Sequence, residues 1–318
     1  MSVHNRPDDP LISIVVPVLD EERCIRELSQ RVRDALRDGA RYELLFIDDG
    51  SRDDTQKRIA ELRQNDEAVK TLRFTRSFGH QAALVAGLSH AQGDAVVTMD
   101  GDLQHPPESL PMMIEAWREG ADVVHTVRRG SQKGSLAWKD WLGRTFYRLI
   151  RTLTNLPVVP SGADFRLLDR RVVDHFNRLE EHFVFLRGLI PWLGFHAVQI
   201  QYDVEPRFAG ESKYKLWPML RLALNGIFSF SVLPLRLITL LGLVTTLLGV
   251  VFGVFALVSH LAGRVTGPSG WTSLMVVMLI LGGVQLLSLG VAGEYLGRIY
   301  EEVKRRPRYV IESKSGVD

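Results

Sequence analysis

Short apolar runs alternate with longer amphipathic segments over the first two-thirds of the chain. The runs are rich in β-branched residues, as buried strands of parallel sheets are, and they cover residues 12–17, 42–47, 69–74, 95–99 and 123–127. The segments between them predict helices at residues 24–38, 55–64 and 81–90. This alternation predicts an α/β fold with an open, mostly parallel sheet and helices on both of its faces.

The last third of the chain has a different pattern. Residues 237–259 and 271–293 are uncharged and apolar, and each stretch exceeds the roughly 20 residues that a helix needs to cross a bilayer. The intervening loop carries one charge, Arg264, whereas a cluster of basic residues follows the second stretch at residues 304–308. By the positive-inside rule, both ends of this two-helix hairpin, and the N-terminal domain with them, are expected in the cytoplasm.

Two further segments combine basic residues with an apolar helical face. Residues 138–155 fit a helix lying in a membrane interface, and an ordinary surface helix packed onto the sheet stays open as the alternative. Residues 213–230 lead directly into the first apolar stretch, which favours the interfacial interpretation there. The predicted organisation is an N-terminal domain at residues 1–210, a juxtamembrane amphipathic helix at 211–231, two transmembrane helices at 232–293 and a basic cytoplasmic tail at 294–318.

Composition narrows the classes of function. The 318 residues are 46% hydrophobic, enough for a packed core, and the net charge of +2 predicts no nucleic-acid partner. Cys24 is the one cysteine, which excludes an internal disulfide and a thiolate metal cluster. A small buried side chain is the expected role for Cys24.

Acidic clusters follow three of the predicted strands, at residues 20–21, 48–51 and 100–102. Because the carboxyl ends of parallel strands share one edge of a sheet, these clusters are expected to form one ligand site. Asp100, Asp102 and Gln104 offer two carboxylates and an amide oxygen, the hard ligands that suit Mg²⁺ or Mn²⁺. Such an ion, bridging a diphosphate, would offset charge developing on a leaving group.

Five motifs, in this order along the chain, resemble the signatures of family-two glycosyltransferases. They are IVVPVLDEE at residues 14–22, DDGSRDDT at 48–55, MDGDLQHPPE at 99–108, GADFRLLD at 162–169 and RFAGESKY at 207–214. Within that family they are most similar to dolichyl- and polyprenyl-phosphate glycosyltransferases, including bactoprenol glucosyltransferases and undecaprenyl-phosphate aminoarabinose transferases. The likeness extends over nearly the whole chain and includes the two-helix hairpin.

The resemblance implies a GT-A fold, in which the donor nucleotide lies at the carboxyl edge of a Rossmann-like sheet. The nucleotide-binding residues that it implies are Pro17, Leu19, Glu21, Asp48, Asp49, Ser51 and Asp100. Asp100, Asp102 and Gln104 are the implied metal ligands, and Asp102 and Asp164 the implied catalytic residues. This chain has Leu19-Asp20 where relatives often carry Tyr-Asn, so backbone contacts rather than aromatic stacking are expected there.

An acceptor phosphate at a membrane surface requires cations, and arginine offers a planar fork that meets phosphate oxygens bidentately. The candidates are Arg128, Arg129, Arg207, Ser212 and Lys213. Asp164 would be the usual choice of general base, but a phosphate monoester has its second pKa at about 6 and is largely dianionic at pH 7. Asp164 is therefore expected to position the acceptor or the sugar, with a structural role as the alternative, and Arg166 to pair with it or to contact a phosphate. His80 and His105 are expected to be bystanders near the site rather than metal ligands, because no His/His/carboxylate spacing indicates zinc.

These observations predict inverting transfer of a monosaccharide from a nucleotide sugar, expected to be a UDP-sugar, to polyprenyl (undecaprenyl) phosphate for cell-envelope modification. The protein is expected in the inner membrane as a multi-pass protein with its catalytic domain in the cytoplasm, and exposed apolar helices are compatible with a homo-oligomer. One alternative is a processive polysaccharide synthase, although its Gln-x-x-Arg-Trp signature and additional spanning helices are missing from the sequence. The other is a non-catalytic membrane scaffold that senses nucleotide sugars. The loop at residues 100–104, named the metal loop, argues against a scaffold because it keeps Asp100, Asp102 and Gln104.

Overall fold

The structure is a computed structural model that describes residues 6–37, 40–128, 162–181, 184–202, 231–262 and 270–317. The chain divides into two compact units. The first unit comprises Met1–Met219 and Arg306–Asp318, and the second comprises Leu220–Arg305. The C-terminal segment therefore belongs to the same unit as the N-terminal two-thirds of the chain.

The described residues of the first unit form one sheet of eight strands. The strands are β1 (Leu11–Val18), β2 (Arg41–Asp48), β3 (Val69–Phe74), β4 (Ala95–Thr98), β5 (Val123–Arg128), β6 (Gly162–Asp169), β7 (Ala197–Tyr202) and β8 (Ile311–Ser315). Their order across the sheet is β7-β5-β6-β4-β1-β2-β3-β8. β1 pairs in parallel with β2 and β4, as β2 does with β3 and β5 with β7, whereas β6 and β8 run antiparallel to their neighbours. The predicted α/β class with a mostly parallel sheet is confirmed.

The helices described in this unit are α1 (Ile25–Leu36), α2 (Thr55–Asn65), α3 (His80–His90), α4 (Leu110–Arg118), α5 (Arg170–Asn177) and α6 (Leu186–Trp192). The three predicted helices agree with α1, α2 and α3 to within two residues at each end.

Helices cover both faces of β1, because successive side chains of a strand point to opposite faces. Ile12, Ile14 and Val16 pack into the same buried cluster as Leu28 of α1. Val15 faces the other way, and α3 approaches it so closely that a Cβ on Gly87 would lie 2.1 Å from its Cγ1. Full burial of an Ile or Val side chain contributes about 1.5–3 kcal/mol to the stability of the fold. The contacts with α1 on one face and α3 on the other therefore hold β1 in the centre of the fold.

Residues 294–318 differ from the predicted basic tail. Residues Glu294 to Lys304 continue the second apolar helix, and Ile311–Ser315 form β8 at the edge of the sheet. Every residue of β8 keeps part of its surface exposed, so the strand lacks the alternating apolar pattern that identifies a half-buried strand. β6 and β7 were not predicted as strands either.

The second unit contains two long helices among its described residues, α7 (Leu233–Leu261) and α8 (Trp271–Lys304). Both are long and apolar enough to cross a membrane, over Leu233–Phe255 and Val276–Lys304, with mean hydropathies of 2.4 and 2.1. Within the unit, the Tyr295 hydroxyl of α8 donates to the Ser231 carbonyl at 2.6 Å, just before α7 begins. The amphipathic helix predicted at residues 138–155 lies outside the described residues. The one predicted at residues 211–231 also lies outside them, except for Ser231.

Candidate active site

Three loops meet at the carboxyl edge of the adjacent parallel strands β4, β1 and β2. Val18 is opposite Asp48 in the β1–β2 register, and Val15 is opposite Thr98 in the β1–β4 register. The segments that follow these strands therefore emerge side by side. The structure thus brings the predicted nucleotide-binding and metal-binding segments to one edge of the sheet.

Hydrogen bonds hold the loop after β1 against the loop after β2. The Asp20 amide donates to Ser51 Oγ at 3.0 Å, and the Glu21 amide donates to Thr55 Oγ1 at 2.9 Å. In return, the Arg52 amide donates to Asp20 Oδ1 at 2.8 Å. Asp20 has a φ of 56°, a left-handed conformation that Asp tolerates better than most residues. Pro17, Leu19 and Glu21 are therefore presented beside Asp48 and Ser51, as the nucleotide-site prediction requires.

Asp48 and Asp49 have different surroundings. Asp48 is fully buried, accepts a hydrogen bond from the Ser51 amide at 2.8 Å, and has Arg73 Nε 3.7 Å from its Oδ2. The Asp49 carboxylate accepts hydrogen bonds from Ser77 Oγ at 2.7 Å and from the Phe78 amide at 2.6 Å. The resemblance implies Asp49 as a nucleotide-binding residue, and in the structure its carboxylate holds the loop that precedes α3.

Asp100, Asp102 and Gln104 share the loop after β4. A Cβ on Gly101 would lie 2.9 Å from Val18 Cγ1, so the loop approaches β1 where a glycine is present. Leu103 is buried with a φ of 61°, and the Gln104 amide donates to Asp102 Oδ1 at 3.1 Å. Leucine at positive φ is an uncommon conformation that surrounding contacts must stabilise.

The donor set of this loop fits a divalent cation. Asp100 Oδ1 is buried and accepts no hydrogen bond from any residue that the structure describes. Within the described ranges no group of three His, Cys, Asp or Glu side chains is arranged to hold a metal ion alone. Two carboxylates and an amide match the incomplete protein shell of Mg²⁺ or Mn²⁺, which takes further oxygens from phosphates and water.

His105 supports the metal loop through a buried ring and a hydrogen bond to the backbone. Its ring is 1% exposed and stacks on Phe165 at a centroid distance of 5.1 Å, while the Asp100 amide donates to its Nδ1 at 3.1 Å. This backbone hydrogen bond positions Asp100. His105 is therefore a structural support for the loop rather than a bystander.

Asp164 reaches the same edge because β6 runs antiparallel to β4. Thr98 is opposite Arg166, and Thr98 Oγ1 donates to the Asp164 carbonyl at 2.6 Å. Asp164 is buried, and its carboxylate accepts hydrogen bonds from Arg166 Nη2 at 2.9 Å and from Arg187 Nη2 at 2.9 Å and Nε at 3.1 Å. The predicted pairing of Arg166 with Asp164 is present, and Arg187 on α6 is an additional partner.

His80, the first residue of α3, connects Asp164 with the metal loop. Its Nε2 lies 3.6 Å from Asp164 Oδ2 and 3.4 Å from Asp100 Oδ1. Burial alone would lower the pKa of His80, but the interaction with Asp164 and the charge of Asp100 raise it above its usual value. The bystander prediction for His80 does not match this position between two carboxylates.

The charge of Asp164 is strongly stabilised. Burial alone would raise the pKa of its carboxyl group, but the interaction with His80 and the charges of Arg187 and Arg166 hold that pKa well below the usual range. A carboxylate with so low a pKa is a poor proton acceptor at neutral pH. The geometry therefore favours positioning over general-base catalysis for Asp164.

Four of the five predicted acceptor-phosphate residues belong to parts of the chain that the structure does not describe. Arg129, Arg207, Ser212 and Lys213 lie outside the described residues. The backbone of Arg128 ends β5, while its side chain is not among the described ones.

The sequence is similar to known proteins over nearly all of its length. Residues 13–176 match the profile of Glycosyl transferase family 2. An uncharacterized glycosyltransferase of Synechocystis sp. is 41% identical, with 96% of each chain covered. A prophage-derived bactoprenol glucosyl transferase of Shigella flexneri is 42% identical, with 95% of this chain and 97% of that protein covered.

Among solved structures, glucosyl-3-phosphoglycerate synthase from Mycobacterium tuberculosis has a TM-score of 0.49 and 22% identity, covering 69% of this chain and 79% of that one.

Proposed function

The chain belongs to glycosyl transferase family 2, and we propose that it transfers one sugar from a nucleotide-sugar donor to the phosphate of a polyprenyl lipid. One observation carries the proposal. The metal loop and Asp164, which come from different parts of the sequence, face each other across His80, whose Nε2 lies 3.4 Å from Asp100 and 3.6 Å from Asp164. A donor diphosphate needs a divalent cation, which the metal loop would hold. An attacking phosphate needs cationic side chains, which Arg166 and Arg187 provide beside Asp164.

On the donor side, Pro17, Leu19, Glu21, Asp48 and Ser51 would line the nucleotide, because the hydrogen-bonded loops after β1 and β2 present them at one edge. Asp100, Asp102 and Gln104 would hold a divalent cation, Mg²⁺ or Mn²⁺, which neutralises charge on the departing diphosphate when bound. The sugar would then lie beside His80, next to both the metal loop and Asp164. A UDP-sugar is the proposed donor.

In the reaction, an oxygen of the lipid phosphate attacks the anomeric carbon of the sugar. The bond between that carbon and the diphosphate oxygen breaks, and its electron pair leaves with the nucleoside diphosphate. A single displacement of this kind inverts the anomeric configuration. The nucleophile is already ionised at neutral pH, so no side chain has to remove a proton from it.

Asp164 would orient the partners in this reaction. Its carboxylate fixes the guanidinium groups of Arg166 and Arg187 through contacts of 2.9–3.1 Å, and it lies beside His80. Holding reacting groups in a productive geometry lowers the barrier without any transfer of a proton.

Two features support a lipid acceptor. The described residues include two helices long and apolar enough to cross a membrane, and the Shigella flexneri relative is described as a bactoprenol glucosyl transferase. A polyprenyl phosphate would bring its phosphate to the membrane surface, with the catalytic domain, residues 1–210, on the cytoplasmic side of the inner membrane.

The proposal is tested with purified full-length protein in detergent. Radiolabelled UDP- and GDP-sugars are offered one at a time with undecaprenyl phosphate, in the presence and absence of EDTA. We expect one donor to yield a labelled, chloroform-soluble product, and EDTA to abolish it. Label that enters a polymer would favour the processive synthase, and donor binding without any transfer would favour the scaffold.

Asp102→Asn is expected to lower transfer about 100-fold or more, because it removes a charged ligand from the metal loop. Asp94→Asn is a matched control at the opposite end of β4, where Asp94 Oδ2 accepts a hydrogen bond from the Leu11 amide at 2.8 Å. Asparagine can keep that hydrogen bond, so the control is expected to retain transfer. Equal activity in both variants would contradict the role of the metal loop.

A further inference from the structure

Arg187 lies on α6 and approaches the candidate site from that helix. None of the five sequence motifs includes α6. Its Nε lies 3.1 Å from Asp164 Oδ1 and its Nη2 lies 2.9 Å from Asp164 Oδ2. This two-point contact sets the plane of the guanidinium as well as its position. The Arg187 side chain is 28% exposed, whereas that of Arg166 is 4% exposed. Of the two arginines on Asp164, Arg187 is therefore the one that a ligand can reach.

Two guanidinium groups, which remain protonated in proteins, contact the Asp164 carboxylate. His80 Nε2 lies 3.6 Å from the same carboxylate and 3.4 Å from Asp100 of the metal loop. Arg187 is therefore a partly exposed cation beside the place where the proposed reaction occurs.

We propose that Arg187 binds the phosphate of the lipid acceptor, and that Asp164 holds its guanidinium in the orientation for that contact. The inference rests on the proposed function and adds a residue to it. Arginine is suited to this role because its planar fork meets two phosphate oxygens at once. Asp164 then acts as a positioning residue through Arg187.

The donor diphosphate is the other phosphate at this site. The metal loop at residues 100–104 supplies the donor's ligands, and Arg187 contacts Asp164 rather than that loop. The geometry therefore favours the acceptor over the donor. Steady-state kinetics can show whether Arg187 binds the donor diphosphate or the acceptor phosphate, because each substrate has its own KM.

The test uses the full-length enzyme and the donor identified by the transfer assay. Initial rates of Arg187→Gln are measured against undecaprenyl phosphate at saturating donor, and against donor at saturating lipid. We expect the KM for the lipid phosphate to rise about 10- to 100-fold, as for loss of charged hydrogen bonds, with the donor KM unchanged. Arg187→Lys keeps the charge but loses the fork, so it is expected to give a smaller increase in the same KM.

Arg171→Gln is the matched control. The Arg171 side chain is 37% exposed and pairs with Asp122 at 2.5 Å and with Asp169 at 3.4 Å, at the opposite end of β6 from Asp164. This substitution also removes an arginine from partly buried carboxylates, but away from the site. Both KM values of Arg171→Gln are expected to equal those of the wild type.

Three results would overturn the inference while leaving the proposed function intact: a rise in the donor KM alone, a fall in kcat with both KM values unchanged, or normal kinetics. If Arg187→Gln does not fold, Arg187→Lys decides, and an unchanged lipid KM in that variant overturns the inference. A wild-type enzyme that leaves polyprenyl phosphate unglycosylated would instead contradict the proposed function itself.

Discussion

At the scale of single residues, the negative charge of Asp164 is shared among Arg166, Arg187 and His80. Removing one partner from a buried ion pair is costly, because the remaining charge loses its compensation in a poorly solvated place. The same network explains why the carboxyl group stays ionised. Its loss should therefore be visible in stability as well as in catalysis.

Asp164→Asn is expected to lower the melting temperature by roughly 5 °C or more at pH 7, since two guanidinium groups lose their counter-ion. Because the folded-state pKa of Asp164 lies below its unfolded value, the charge stabilises the fold above the unfolded pKa of about 4. That stabilisation is lost only as pH falls through the lower, folded-state pKa. Asp164 also raises the pKa of His80, so the difference between the two melting temperatures should increase as pH falls through the pKa of His80, and it should shrink only below about pH 4. A difference that vanishes already at pH 6 would show that the carboxylate is not held in its charged form.

The sequence offered candidate residues for the site but not their contacts. Asp100, Asp102 and Gln104 could be proposed as metal ligands because they occur in a short loop after a strand. Arg187 could not, since its partner Asp164 is 23 residues away and the contact depends on tertiary structure. His80 could be noticed from the sequence because it directly precedes a predicted helix. Its position between two carboxylates could not, because they come from β6 and from the loop after β4.

At the scale of elements, the loop after β2 is locked to the loop before α3. The Asp49 carboxylate accepts hydrogen bonds from Ser77 and Phe78, and Gly50 lies so close to Arg76 that an added Cβ would be 2.7 Å from its carbonyl carbon. Because His80 follows this loop directly, the contact between the two loops also places His80 beside Asp164.

Gly50→Ala is expected to destabilise the enzyme more than Gly194→Ala. Both glycines have nearly the same backbone conformation, with φ of +77° and +74°, but an added Cβ on Gly194 meets nothing within 4 Å. Backbone strain should therefore cost both variants about 1 kcal/mol, and the clash with Arg76 should cost Gly50→Ala about 1–3 kcal/mol more. Melting temperature and transfer rate provide the measurement. Equal melting temperatures would mean that the two loops separate easily.

Two of the three strands that the sequence did not predict, β7 and β8, share a physical cause. β7 keeps most of its residues partly or fully exposed, and β8 keeps all of them so, which removes the apolar run that predicts a buried strand. β8 is held by contacts far away in sequence, including Arg73 with Glu312 at 3.0 Å and the stacking of Tyr309 on Phe74 at 5.0 Å. The central strands β1 and β2 are buried except at their first one or two residues, so their apolar runs identified them correctly.

At the scale of the whole molecule, the chain leaves the first unit after Met219 and returns to it at Arg306. Between these points lie α7 and α8, each able to cross a membrane by its length and hydropathy. A chain that crosses twice returns to the side from which it started. The proposed topology therefore puts the segment between α7 and α8 outside and the sheet inside.

Single cysteines introduced into a Cys24→Ala background test this topology in bacterial cells. We expect a membrane-impermeant maleimide to label Ala262→Cys, at the end of α7, in intact cells. Lys314→Cys, an exposed position in β8, should be labelled only after the cells are permeabilised. Labelling of Lys314→Cys in intact cells would contradict a cytoplasmic catalytic domain.

The central claim is that a sugar, without any phosphate of its donor, moves onto the lipid phosphate. The measurement is a balance of products from the purified enzyme, its UDP-sugar donor and undecaprenyl phosphate, with nucleotides separated chromatographically and the lipid identified by mass spectrometry. We predict one nucleoside diphosphate for each lipid formed, and a lipid that carries one sugar on a single phosphate. Release of a nucleoside monophosphate together with a lipid diphosphate sugar would contradict the account, because the enzyme would then transfer a sugar phosphate.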